Sequence, residues 1–213
     1  MGIPVLIIGK SGQGKSTALR NFGEEEISLI NVSKKPLPFQ KKFKKTIETD
    51  DYNKIHQLLD KSSSNSIVID DASYLITNMF MNKHSSAGAG NAVFVLYNNL
   101  GDEFWRLIEH IKSLPPQKIV YVIMHEDRSD FGEIKPKTIG KLLDDKVCIE
   151  GMFTVVLRCM ADKGRHFFRT QTDGMDVAKS PFGMFEQFEI DNDLKLVDGV
   201  IRNYWGLNDV PTA

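Results

Sequence analysis

Gly9, Gly14, Lys15 and Ser16, within GKSGQGKST, stand at the spacing GxxxxGK[ST],. The chemistry that this spacing serves is the holding of phosphate. Glycines let a backbone curl until successive N–H groups point inward as an anion nest. The run Gly9, Lys10, Ser11, Gly12, Gln13, Gly14, Lys15, Ser16 and Thr17 is expected to form that nest. Lys15 would reach the β- and γ-phosphates, Thr17 the α-phosphate side, and the Ser16 hydroxyl would ligate Mg²⁺, which prefers oxygen ligands and keeps waters.

A metal on a phosphate also needs a carboxylate. SIVIDD delivers Asp70 to the end of an apolar run, at the carboxyl edge where open α/β sheets bind ligands,. Asp71 would orient an attacking water or cap the helix that follows. Glu48, after KTIET, competes for the water-positioning role. His125, directly after KIVYVIM, either touches the γ-phosphate or is a surface histidine at a strand end,. His56, His84, His110, His125 and His166 are scattered without zinc-ligand spacing,.

The elements that must position these residues follow from periodicity. Short apolar runs predict strands at Pro4–Ile8, 27–32, 45–49, 66–71, Lys118–Met124 and Met152–Met160,. A hairpin is predicted through Lys163-Gly164. Helices are predicted over 16–22, from Asp50 or Asp51 to Lys61, over Ser73–Met81 and over Val93–Leu114, where Pro115-Pro116 stops the chain,. NKHSSAGAGN and residues 126–147 read as polar loops, and the tail from Met175 shows few clear elements. Strands alternating with helical patterns predict an α/β fold with a mostly parallel sheet flanked by helices and an antiparallel hairpin at one edge.

Composition narrows the class. The chain has 213 residues, 41% of them hydrophobic and 26% charged, with a net charge of −1. Overall charge therefore points to neither nucleic acid nor membrane, so any such partner needs a local patch. No apolar run approaches the roughly 20 residues of a membrane span. The start of the sequence lacks a basic signal-peptide region. Cys148 and Cys159 read as reduced thiols. A cytoplasmic protein is expected. One local patch exists: Lys34, Lys35, Lys41, Lys42, Lys44 and Lys45, interleaved with Phe39 and Phe43 and free of acids. It suits single-stranded nucleic acid, or it is a sheet edge protected by lysines.

GKSGQGKST, SIVIDD and KIVYVIMHED, then a polar segment and a closing hairpin, together resemble the RecA-like P-loop ATPases. More narrowly, they resemble the small phage-encoded nucleotide-binding proteins of that group implicated in recombination and single-strand annealing. The resemblance spans about residues 3–172, with an echo in DVAKSPFGMF. It implies a RecA-like ATPase core over 1–174, and an extension over 175–213 that packs on the core or on a neighbouring subunit. It also implies ATP with Mg²⁺ as cofactors, single-stranded DNA as partner, a homo-oligomeric ring or filament, and the host cytoplasm if the protein is phage-encoded. Loops matching 81–93 and 126–147 would contact DNA, and a neighbour's cation would serve catalysis. Lys179 is the candidate cation, with Arg165 and Arg169 behind it. Other uses of the same phosphate site are an interaction switch or loader for a replication protein and, last, a small-molecule kinase. A kinase would want an arginine-rich lid, and residues 126–147 hold only Arg128.

Overall fold

Alternation along one strand shows how the layers are built. In β1 (Ile3–Gly9), Leu6 and Ile8 face one apolar layer while Val5 and Ile7 face the other, the period of two that a strand buried on both faces requires. The computed structural model describes residues 1–86, 91–129, 131–139 and 147–207. The strands that follow β1 are β2 (Ile27–Asn31), β3 (Lys45–Glu48), β4 (Ser66–Asp70), β5 (Ile119–Arg128), β6 (Ile134–Pro136), β7 (Val155–Asp162), β8 (Arg165–Arg169) and β9 (Glu189–Asp191). They form one sheet in the order β3-β2-β4-β5-β1-β7-β8-β9, with β6 attached to β5. Pairings from β3 through to β7 are parallel, and β7-β8, β8-β9 and β5-β6 are antiparallel. This is the α/β P-loop NTPase fold, with β8 and β9 as antiparallel strands at one edge.

Helices α1 (Tyr52–Lys61), α2 (Ser73–Lys83) and α3 (Asn91–Ser113) cover one face. The other face is covered by a short 3-10 helix over Ser16–Asn21 and by α4 (Leu194–Tyr204). Asp51 caps α1 by accepting from the N–H groups of Asn53 and Lys54, and Asp193 caps α4 in the same way,. Among the described residues, no helix is long and apolar enough to cross a membrane.

The structure departs from the sequence reading at several places. The segment after the phosphate loop is 3-10 rather than α, and it ends at Phe22, whose backbone is extended. Tertiary contacts outweigh propensity there: Asn21 Nδ2 donates to Asp193 and Arg20 Nη1 to the Asn192 carbonyl. Strand β5 runs on past His125 to Arg128, because β6 pairs with Glu126, Asp127 and Arg128. The part of 126–147 expected as an open loop therefore begins as sheet. Glu126 is buried and gripped by Arg158 through Nε at 2.9 Å and Nη2 at 3.1 Å. Helix α2 extends to Lys83, His84–Ser86 is a 3-10 turn and α3 starts at Asn91, so both ends of the segment expected as a loop over 82–91 are helical. Residues 87–90, 130 and 140–146 of the two expected DNA loops lie outside the described residues.

The tail holds more structure than its sequence suggested. Asp176 and Lys179 bridge to Ile134 and Val156, β9 adds a strand to β8, and α4 buries Leu194, Val197 and Ile201 against the core. Each such side chain contributes roughly 1.5–3 kcal/mol relative to exposure.

Candidate nucleotide site

The phosphate loop leaves β1 at Gly9, which lies beside His125 in the register of β5. A Cβ at Gly9 would meet the Cys159 carbonyl of β7 at 2.7 Å, so only glycine fits,. Gly14 turns the loop with φ +96°, and a Cβ there would meet His166 Nδ1 at 3.0 Å and Asn192 Oδ1 at 3.2 Å. The loop is braced from behind: the Gln13 carbonyl accepts from the Cys159 thiol at 2.9 Å and from the Nδ1-H tautomer of His166 at 2.9 Å.

Lys15 is buried, and its Nζ donates to the carbonyls of Gly9 at 2.8 Å and Lys10 at 2.9 Å. Burial lowers its pKa, and the negative charge of Asp71 works most strongly against that,. Because the following helix is only six residues of 3-10, its macrodipole adds little. The attraction for an anion comes from Lys15 and from the loop's own N–H groups.

Ser16 Oγ donates to Asp70 Oδ1 at 3.0 Å. Burial, with Asp71 next to it, pushes the Asp70 carboxyl up to about 6. A divalent cation docked between these two oxygens would remove that penalty. Among the described residues, no cluster of His, Cys, Asp and Glu forms a protein metal cage. One hydroxyl and one carboxylate match a Mg²⁺ that takes its other ligands from phosphate and water.

Asp71 sits at φ +60°, a left-handed backbone that Asp tolerates better than most residues,. Its carboxylate does not cap α2, whose N-cap is Ala72. It faces His125 Nε2 at 3.4 Å and Lys35 Nζ at 3.7 Å. Burial alone would raise its pKa, but hydrogen bonds from His125 and Ser33, with the charge of Lys35, bring it down to about 2. On its other side, His125 Nδ1 lies 3.5 Å from Lys15 Nζ. The backbone N–H of His125 donates to Ser73 Oγ at 3.0 Å. Strand β5 lies between β1 and β4, and that position puts His125 between the lysine and the acids.

Lys15, Ser16, Thr17, Asp70, Asp71 and His125 thus line a single cleft of about 430 Å³. Ser11, Gly12 and Gly14 line it too, while Lys10 is exposed and outside the lining. Glu48 is not in it. The register puts Asp70, Asn31 and Glu48 side by side on β4, β2 and β3, and Glu48 lines a neighbouring hollow of about 380 Å³. Lys179 is also outside, its backbone paired with Val156 partway along β7. Arg165 pairs with Glu189, and Arg169 with Asp173 and Asp176. His166, Ser33 and Lys35 also line the cleft and Asn192 packs beside Gly14 and Cys159 behind the loop, and no sequence pattern marks any of the four as a nucleotide-site residue. The hairpin around His166 was visible in the sequence, but its docking on the loop is a long-range contact with no local signature.

Most of the lysine cluster is engaged within the chain. Lys34 pairs with Asp50, Lys35 with Asp71 and Lys44 with Glu25. Lys41 donates to the carbonyls of Arg20 and Phe22, and Lys45 donates to Ser63 and Ser64. Phe43 is buried, and β3 is an edge strand.

A family model described as an AAA domain matches residues 1–182. The chain belongs to this AAA-domain family. Membership makes it an AAA-type P-loop ATPase by class, and implies nucleotide binding and the customary Mg²⁺. No curated protein matches the chain significantly.

Proposed function

We propose that this AAA-domain protein is a Mg²⁺-dependent ATPase of the RecA-like kind, whose nucleotide state governs its assembly on single-stranded DNA during recombination or annealing. The observation that carries the ATPase reading is the convergence of Lys15, Ser16, Asp70, Asp71 and His125 on one cleft. The loop N–H groups and Lys15 would hold the β- and γ-phosphates. Ser16 and Asp70 would hold Mg²⁺, which supplies charge neutralisation on the phosphate oxygens. With a pKa of about 2, Asp71 stays ionised and accepts a hydrogen bond from the attacking water, orienting it rather than storing its proton. His125, held between Asp71 and Lys15, would touch the terminal phosphate and report its loss.

The recombination reading draws on the order of these elements along the chain, and a homo-oligomer in which a neighbour offers Lys179 belongs to it. The switch reading, an ATP-controlled loader for a replication protein, is favoured by the internal ion pairs of the lysine cluster. Phosphates of DNA would have to displace them. ATPase rate with and without single-stranded DNA, at low and moderate salt, separates the two. Stimulation with salt-sensitive binding supports the DNA role, because phosphate contacts release counterions. An unchanged rate and no salt-sensitive binding leave the switch.

A further inference from the structure

The strap of residues 33–38, in the sequence SKKPLP, lines the nucleotide cleft through Ser33, Lys35, Pro36, Leu37 and Pro38. Pro36 and Pro38 limit its backbone freedom, and Lys34 adopts a left-handed φ of +57°. Buried Asn31 of β2 donates to the Lys35 carbonyl at 2.8 Å. Lys34 Nζ meets Asp50 at 3.2 Å, and Asp50 also accepts from Asn78 of α2 at 2.8 Å. The strap is therefore anchored to both the sheet and α2. That anchoring leaves Lys35 reaching into the cleft. Its Nζ lies 3.7 Å from Asp71 and 4.8 Å from the centre of the Tyr74 ring, and Tyr74 stands edge-on to His125 at 5.9 Å.

We infer that Lys35 is a phosphate-contacting cation supplied in cis, which distinguishes a triphosphate from a diphosphate. The inference rests on the nucleotide reading of the cleft. Lys15 contacts the His125 end of the Asp71–His125 pair and Lys35 the Asp71 end, and all four line the cleft in which a terminal phosphate seated on Lys15 would lie. The hold of Asp71 on Lys35 is weak: 3.7 Å is too long for a hydrogen bond, and the lysine side chain is 61% exposed,. A γ-phosphate carries more charge and more acceptor oxygens than one carboxylate, so it would draw Lys35 away and free Asp71 to hold water. A diphosphate leaves Lys35 on Asp71.

Calorimetric titration of Mg²⁺ with a non-hydrolysable ATP analogue, and separately with ADP, tests this on wild type, Lys35→Ala and Lys35→Arg. Lys35→Ala is expected to bind the analogue about tenfold more weakly and ADP unchanged, with most of the loss restored in Lys35→Arg. Thermal melts establish that the variants fold. An equal loss for both nucleotides, or no loss, overturns the role of Lys35 while leaving the site intact. Failure of wild type to bind either nucleotide overturns the site itself, and the inference with it.

Discussion

Replacing Asp198 should detach α4 and loosen the phosphate loop behind it. Its Oδ1 accepts from Ser66 Oγ at 2.7 Å and Tyr121 Oη at 2.8 Å, and its Oδ2 accepts from Arg202 Nε at 2.7 Å. Tyr121 is fully buried, so Asp198→Ala strands its hydroxyl at a cost of about 1–3 kcal/mol. Losing one partner of a buried ion pair costs about 3–5 kcal/mol. Arg202 keeps the Gln117 carbonyl and Ser66 Oγ as acceptors, which pulls the total toward about 3 kcal/mol. For a chain of this size that is a fall in Tm of about 6–12 °C. Circular dichroism melts of wild type, Asp198→Ala and Asp198→Asn read it, the asparagine variant falling less because it keeps an acceptor. Asn192 and Asp193, just ahead of α4, hold Arg20 and Asn21 beyond the loop, so nucleotide affinity should drop along with Tm. A Tm within about 2 °C of wild type for Asp198→Ala would refute the argument that this carboxylate docks the helix.

Gly14→Ala forces a Cβ into φ +96° and against His166. It should cost about 1–3 kcal/mol in urea unfolding and abolish nucleotide binding measured by calorimetry. His125→Ala should cut turnover about 10–100-fold while leaving ADP affinity within about twofold, as expected of a group that meets only the terminal phosphate. Stability should also respond to pH through His56. Burial, followed by the charge of His110, lowers its pKa, with Glu103 and Asp60 opposing, and His110 itself is held by Asp60. The unfolded chain then binds the proton more readily, so stability present above about pH 6.5 is lost as pH falls below it. Asp70, raised to about 6, acts in the opposite sense as pH falls through that value. Urea midpoints at pH 7.5 and 5.5 are therefore compared between wild type and His56→Gln, and the variant should lose less on acidification.

The phosphate loop and the parallel strands were legible because each is local: a fixed spacing, and apolar runs ended by Gly, Asp or His. Asp70 followed from its place at the end of a strand, and His125 from its place at the end of an apolar run, although β5 itself continues to Arg128. What escaped depends on distant partners. Glu126 reads as a loop residue until Arg158 and Asp176, far along the chain, provide a buried ion-pair network. The lysine cluster left two readings open, a single-strand patch or a lysine-protected sheet edge, because Asp50, Asp71 and Glu25, which neutralise three of its members, come from other elements. Helix α4 did leave a trace, with Asp193 ahead of Leu194, Val197 and Ile201. Gly199 and the polar Asp198 and Arg202 blurred its apolar face. The 3-10 turn after Ser16 was beyond local reading, since contacts from Asn192 and Asp193 shape it.

The cleft is expected to bind and hydrolyse ATP through Lys15 and Asp70. Phosphate release from Mg²⁺-ATP by wild type, Lys15→Ala and Asp70→Asn measures it directly. Wild type should release phosphate steadily, Lys15→Ala should lose ATP binding and turnover, and Asp70→Asn should turn over slowly and require much more Mg²⁺. Wild-type rates surviving in Lys15→Ala would contradict this assignment of the cleft.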